Sequence, residues 1–239
     1  MDLRGQHVVV VGGTSGIGFA VARRALDAGA EVTVASSRRT SVDAARERLG
    51  EGARGEVVNV LDTAAVEAFF NATGTVDHLV YTAGEPLSMM KVADLDLDRA
   101  RSFFEIRYFG ALNAVHAARP QMRDGGSITL TSGTAGERAG TGWALGASVC
   151  GAMNSLTRAL AVELAPVRVN AVAPGITRSP VWAEMDEAGQ EAMYEQVGRA
   201  LPLGRVGEVE DVADAYLYCL GQQYTTGTIL GVDGGTLVA

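Results

Sequence analysis

Val8-Val9-Val10-Val11-Gly12-Gly13-Thr14-Ser15-Gly16-Ile17-Gly18 is the stretch on which the fold turns. Four consecutive β-branched residues read as a strand covered on both faces, and residues 19–28 continue with helical period. Glycines between them let the backbone approach a pyrophosphate, and the mouth of the following helix offers free N–H groups and partial positive charge. The strand before and the helix after supply the context such a turn requires. The competing reading is a tight strand–helix connection that holds nothing.

Outward from this unit the alternation repeats. Strands are expected at residues 31–35, 55–60, 78–81, 127–131, 167–173 and 229–232. Helices are expected at 40–49 (capped by Thr40 or Ser41), 63–72, 98–122, 146–165 and 208–220. Strands apolar throughout, joined by helices, imply parallel pairing through right-handed crossovers. The expected fold is α/β: one doubly wound domain over residues 1–239, with a mostly or wholly parallel seven-stranded sheet and helices on both faces. Residues 174–203 fall outside the alternation and are expected to form a mobile, partly helical lid over the ligand cleft.

Composition narrows the partners. Hydrophobic residues make up 47% of the 239 and charged residues 20%, enough for a sizeable core. The net charge of −8 disfavours nucleic acid, whose phosphates it would repel. Cys150 and Cys219 lie at no ligand spacing and read as buried apolar thiols, and His7, His78 and His116 are scattered, so no metal is expected. The N-terminal residues lack the pattern of a signal peptide, and no apolar run approaches the ~20 residues of a membrane span. A soluble, cytoplasmic protein without a membrane partner is expected.

The second strand ends in Ala35-Ser36-Ser37-Arg38-Arg39. A carboxylate there would favour a ribose 2′-hydroxyl and repel a 2′-phosphate. Ser36, Ser37, Arg38 and Arg39 instead suit a phosphate dianion, since guanidinium pairs with it bidentately. The expected cofactor is NADP(H); a solvated basic turn is the alternative.

The glycine spacing resembles the T-G-x-x-x-G-x-G of the short-chain dehydrogenase/reductase family, with Val11 in place of the threonine. Leu79-Val80-Tyr81-Thr82-Ala83-Gly84 is similar to that family's L-V-N-N-A-G, with both asparagines replaced. Val167-Arg168-Val169-Asn170-Ala171-Val172-Ala173-Pro174-Gly175 and Thr226-Gly227…Val232-Asp233-Gly234-Gly235 match its later motifs. The resemblance implies a Rossmann domain in which Gly12, Thr14, Ser15, Gly16, Ile17 and Gly18 hold the pyrophosphate. Asn59 and Val60 would lie beside the adenine, Ala83 and Gly84 near the ribose, and Pro174, Gly175, Ile176 and Ser179 at the nicotinamide.

The resemblance also exposes a gap. Ser132 matches the family's catalytic serine, but Leu145 and Val149 stand where its tyrosine and lysine would be. No tyrosine, lysine or histidine occurs between Gly133 and Pro166, and Lys91 is the only lysine of the chain. Arg107 replaces a helix asparagine; it is a poor acid, but its charge suits stabilising an oxyanion, holding a substrate carboxylate or replacing the lysine's charge, or else it pairs with a structural carboxylate. Tyr81 and Tyr108 are candidate phenols or packed aromatics, and Trp143 and Met153 candidate pocket walls or core.

An NADPH-dependent carbonyl reductase follows as the expected function, with Ser132 and Arg107 as catalytic candidates and a small-molecule carbonyl compound as substrate. A non-catalytic NADP(H)-binding sensor or partner protein, and a non-redox cyclase or dehydratase, are the alternatives. Gly110, Ala111, Ala114, Ala117, Gly151 and Ala152 suit either core packing or the homodimers and homotetramers usual in the family.

Overall fold

Val9 and Val11 face one apolar core and Val8 and Val10 the other, as alternation along a strand requires. Burial on both sides places β1 (His7–Val11) inside a sheet rather than at its edge. The computed structural model describes residues 1–87 and 89–239. Its main sheet has seven strands in the order β3-β2-β1-β4-β5-β6-β9, every pair parallel. They are β2 (Glu31–Ser36), β3 (Ala53–Val57), β4 (Val76–Tyr81), β5 (Met122–Thr131), β6 (Arg168–Pro174) and β9 (Ile229–Val232). Helices α1 (Gly16–Asp27), α2 (Arg39–Leu49), α3 (Thr63–Thr73), α4 (Leu97–Phe104), α5 (Gly110–Ala118), α6 (Ala144–Glu163) and α8 (Val209–Gly221) join them. The chain order reverses between β1 and β4, where a doubly wound sheet opens its ligand crevice.

Three expectations are corrected. Helix α2 begins at Arg39, not after Thr40 or Ser41; Arg38 is its cap and uses no side chain, because exposed first-turn N–H groups bond water as readily. The third strand ends at Val57, and Val58 is buried against the core as the chain turns off the sheet edge. Residues 98–122 are not one helix: Glu105–Phe109 form a π-helical turn between α4 and α5. Tyr81 Oη donates to Ile106 O, within that turn, at 2.5 Å, the kind of side-chain contact that accompanies an irregular helical turn.

The Val-Arg-Val-Asn run in β6 is structural. Arg168 donates to the carbonyls of Cys219 and Leu220, both at 2.8 Å, and so closes the end of α8. Asn170 donates to Thr225 O at 2.8 Å and accepts from Thr228 N at 3.1 Å, holding the segment that leads into β9. Gly110, Ala111, Ala114 and Ala117 are buried in the core of this one chain, whereas Gly151 and Ala152 are half-buried.

The segment after Pro174 contains β7 (Thr177–Arg178), a single turn at Pro180–Trp182 and α7 (Glu187–Ala200), with β7 pairing to β8 (Gly207–Glu208). It is packed rather than open. Trp182, Tyr194 and Val206 form a small core with Leu87, Trp143 and Ile176 around it, and Trp182 Nε1 donates to Thr177 O at 2.9 Å.

Candidate active site

Parallel pairing brings the carboxyl ends of β1, β4, β5 and β6 to one edge, and the residues singled out in the sequence gather there. Gly12 (φ +87°) and Gly16 (φ +52°) adopt backbone conformations that favour glycine. A Cβ on Gly12 would stand 2.5 Å from Ala83 N, and one on Gly18 would strike Gly12 O and Thr82 Oγ1. Ser15 precedes α1 without a side-chain cap, so the first-turn N–H groups are not spent internally. The turn is therefore bare at its glycines and rich in donors. It fits a dinucleotide pyrophosphate, with Thr14 and Ile17 half-buried beside it.

Ser36 is half-buried at the end of β2, and Ser37, Arg38 and Arg39 are exposed beyond it. Arg39 lies 3.9 Å from Asp43, a loose surface pair that leaves both guanidiniums able to turn toward a phosphate. Asn59 is exposed, its Oδ1 accepting from Leu61 N at 3.1 Å. Val60 is buried, and its carbonyl accepts from Asn113 Nδ2 at 2.9 Å. Gly84 is exposed and Ala83 half-buried beneath the turn. Ser179 and Pro180 close over Gly16, at 3.8 and 3.3 Å from where its Cβ would be, so this end of the cover meets the cradle. Pro174 and Ile176 are half-buried at the same edge, and Gly175 N donates to Val232 O at 2.9 Å.

Ser132 follows β5 and is held by α6. Its Oγ lies 2.6 Å from Asn154 Oδ1 and 3.2 Å from Cys150 O. Asn154 and Cys150 are four residues apart, which puts them on one face of the helix. A Cβ on Gly133 would come within 3.1 Å of Cys150 Sγ, so the thiol packs beside the serine. Burial pushes that thiol up from its usual range, against the pull of Arg107, and it stays protonated near neutrality.

Arg107, in the π turn, folds back against Gly84. Nη2 donates to Glu85 O, and the guanidinium lies 4.6 Å from the centre of the Phe103 ring. Glu85 supplies a carboxylate 3.8 Å from Nε. Arg107, within the π turn, thus meets the loop after β4. Desolvation drives the Glu85 carboxyl above its usual range, with the Arg107 charge opposing it.

Tyr81 is not an available acid. Its ring is buried, its hydroxyl is committed to Ile106 O, and burial pushes its ionisation far above the usual phenol range. Tyr108 packs edge-on against Phe109 with ring centres 5.3 Å apart. Met153 belongs to the core, and Trp143 meets Trp182 edge-to-face at 6.2 Å, walling the cleft. Among the described residues no cluster of His, Cys, Asp or Glu could hold a metal ion.

Sequence reading missed Asn154, Glu85 and the placement of Cys150. The i, i+4 spacing of Cys150 and Asn154 one helical turn from Ser132's strand was available as a signal. Nothing local marked Glu85.

Residues 11–236 match the family model for enoyl-(acyl carrier protein) reductase. A short-chain dehydrogenase/reductase of Gibberella fujikuroi, fsr5, is 34% identical, with 99% of this chain and 96% of that protein aligned. The MalC reductase/Diels-Alderase of Malbranchea aurantiaca superposes with a TM-score of 0.92 at 29% identity, covering 99% of this chain and 98% of MalC. An NADPH-bound short-chain oxidoreductase from Pseudomonas aeruginosa PAO1, named for an atypical catalytic center, superposes with a TM-score of 0.91 at 29% identity over 98% of both chains.

Proposed function

Because the chain belongs to the short-chain dehydrogenase/reductase family, we propose that it is an NADP(H)-dependent carbonyl reductase with a rebuilt catalytic site. The observation that carries this reading is the glycine cradle at the mouth of α1 opening on the same sheet edge as Ser132 and Arg107. Gly12, Thr14, Ser15, Gly16, Ile17 and Gly18 would hold the pyrophosphate, and Ser36, Ser37, Arg38 and Arg39 the 2′-phosphate. Asn59, Val60, Ala83 and Gly84 would flank the adenosine, and Pro174, Gly175, Ile176 and Ser179 the nicotinamide. NADPH bound there supplies hydride equivalents, which leaves the protein orientation and electrostatics.

Ser132 is the group for a substrate carbonyl oxygen. Its single proton faces Asn154 Oδ1; turning the Asn154 amide over would place Nδ2 there, donating to Ser132 Oγ and freeing the hydroxyl proton for the substrate. Arg107 lends positive charge against developing oxyanion character and stays protonated while doing so. Leu145 and Val149 leave the usual proton-donor position apolar, so the proton comes from water or from the substrate itself. Activated or internally hydrogen-bonded ketones are the substrates this site suits.

Mixing the protein with NADPH and a panel of ketones and quinones tests the reading. Oxidation of NADPH with at least one panel member, and tighter NADPH than NADH binding by nicotinamide fluorescence, are expected. Firm cofactor binding without turnover by any member would count against it. MalC's second named activity keeps a cyclase reading in view for this pocket; product formation without NADPH consumption would favour it. No helix of the described residues is long and apolar enough to cross a membrane. A cytoplasmic homodimer or homotetramer completes the proposal, with Phe109, Leu112 and Val162 exposed on its helical faces; light scattering behind size exclusion would show a lone monomer if this is wrong.

A further inference from the structure

Arg107 and Glu85 carry opposite charges side by side, yet they are not bonded through their side chains. Among the described residues, Arg107 Nε and both Glu85 carboxylate oxygens are buried without a hydrogen-bond partner, and the two side chains come within 3.8 Å. An ion pair without hydrogen bonds keeps its Coulomb attraction but leaves desolvated donors and acceptors unsatisfied, which is costly.

The two partners are not equally fixed. The guanidinium is held by the Phe103 face, by the bare surface of Gly84 and by the Glu85 carbonyl. Among the described residues, no other residue donates a hydrogen bond to the Glu85 carboxylate. Both side chains are only partly buried, 18% and 26% exposed, although the Nε and the carboxylate oxygens themselves are covered. A fixed, unfilled donor beneath a movable acidic cover is a place where a ligand can replace the cover.

We propose that Arg107 is the seat for a carboxylate carried by the substrate, and that Glu85 occupies this place only while the seat is empty. The inference rests on the carbonyl-reductase reading for the role of the cleft, and it narrows the substrate to oxo acids. A ligand carboxylate would gain Arg107 Nε as a directed, charge-assisted donor. Ser132, at the carboxyl end of β5, would take the carbonyl end. Glu85 would swing toward solvent or take up a proton. The groups facing it are Arg107 and Tyr81, with Cys150 beyond Arg107, and of these only Arg107 is charged near neutrality. Anion binding therefore strengthens as pH falls and Glu85 gives up its charge.

Levulinate and 2,5-hexanedione are near-isosteric ketones, one anionic and one neutral. Calorimetric titration of each into the protein, with and without NADP⁺, reads the seat directly, and the separate titration of NADP⁺ reads the cofactor site. Levulinate is expected to bind about tenfold more tightly than the diketone at pH 6. Arg107→Gln should erase that preference. Glu85→Gln should tighten levulinate binding about threefold or more and flatten its dependence on pH. Equal affinities in the wild type, or a preference that survives Arg107→Gln, would overturn the proposal. If Arg107→Gln does not fold, Glu85→Gln decides, because weaker levulinate binding in that variant is equally fatal. Loss of NADP⁺ binding alone would strike the cofactor reading and leave the seat standing.

Discussion

Ser132 Oγ and Asn154 Oδ1 meet at 2.6 Å across the junction of β5 and α6, the tightest side-chain contact of Ser132. The contact leaves the serine proton either bound to the amide or free for a substrate, according to which way the amide faces. Asn154→Asp removes the second option, since a carboxylate only accepts. Ser132→Ala and Asn154→Asp should each lower kcat/KM by about ten- to a hundredfold, comparable to losing one transition-state hydrogen bond. NADPH affinity by fluorescence should stay within about twofold. A selective rise in KM with kcat intact would assign the pair to ground-state binding instead.

Gly18 packs so closely on Gly12 that its missing Cβ is part of the cradle. In Gly18→Ala the methyl would meet the Gly12 carbonyl and the Thr82 hydroxyl, and backbone cannot yield as a flexible side chain can. Overpacking of this kind costs about 1–3 kcal/mol. A lower melting temperature together with loss of NADPH binding is expected, while Gly74→Ala serves as a control because its Cβ has open space, though its φ of +77° adds local strain. Undiminished nucleotide binding in Gly18→Ala would place the pyrophosphate elsewhere.

Arg38 and Arg39 stand exposed beyond β2 with no tight carboxylate partner. Replacing both with Glu puts like charge where the 2′-phosphate is expected. NADPH affinity should fall by about a hundredfold or more, with NADH changed far less. Parallel losses for both nucleotides would mean that the turn does not distinguish them.

The strands were legible because parallel β-strands buried on both faces are apolar without interruption, as in Val8–Val11 and Leu79–Tyr81. The glycine turn was legible because its need for small residues is local. The break in the helix after Phe104 was not, since it depends on Tyr81 reaching Ile106, a partner 25 residues away. A comparable separation, 22 residues, hid the pairing of Glu85 with Arg107. Arg107 itself was visible as a substitution, and the structure places it beside a carboxylate.

Tyr81→Phe separates architecture from chemistry at this break. Removing the hydroxyl orphans the Ile106 carbonyl and should cost about 1–2 kcal/mol of stability by urea titration. Burial already bars Tyr81 from ionising near neutrality, so the pH profile of turnover should keep its shape. A lost limb in that profile would make Tyr81 the missing acid.

His78 sits at the opposite end of the sheet, where it makes stability depend on pH. It is buried in β4, with Nδ1 2.8 Å from Ser127 Oγ and Nε2 2.7 Å from Gln6 Oε1. With the Gln6 side-chain carbonyl facing it, Nε2 carries the proton and Nδ1 accepts from the serine; with the amide turned over the two roles exchange, and the neutral ring is satisfied either way. Burial pushes its ionisation down to about 4, with Asp77 opposing. Between about pH 6.5 and 4 the unfolded chain binds a proton that the folded chain refuses. The stability linked to neutral His78 is therefore intact above that window and is lost as pH falls through it, by up to about 3 kcal/mol. His78→Gln cannot be protonated, so it should lose some stability at pH 7 and show a flatter urea midpoint between about pH 7 and 4.5. Wild type and variant falling in parallel would mean that other groups, carboxylates above all, carry the acid sensitivity.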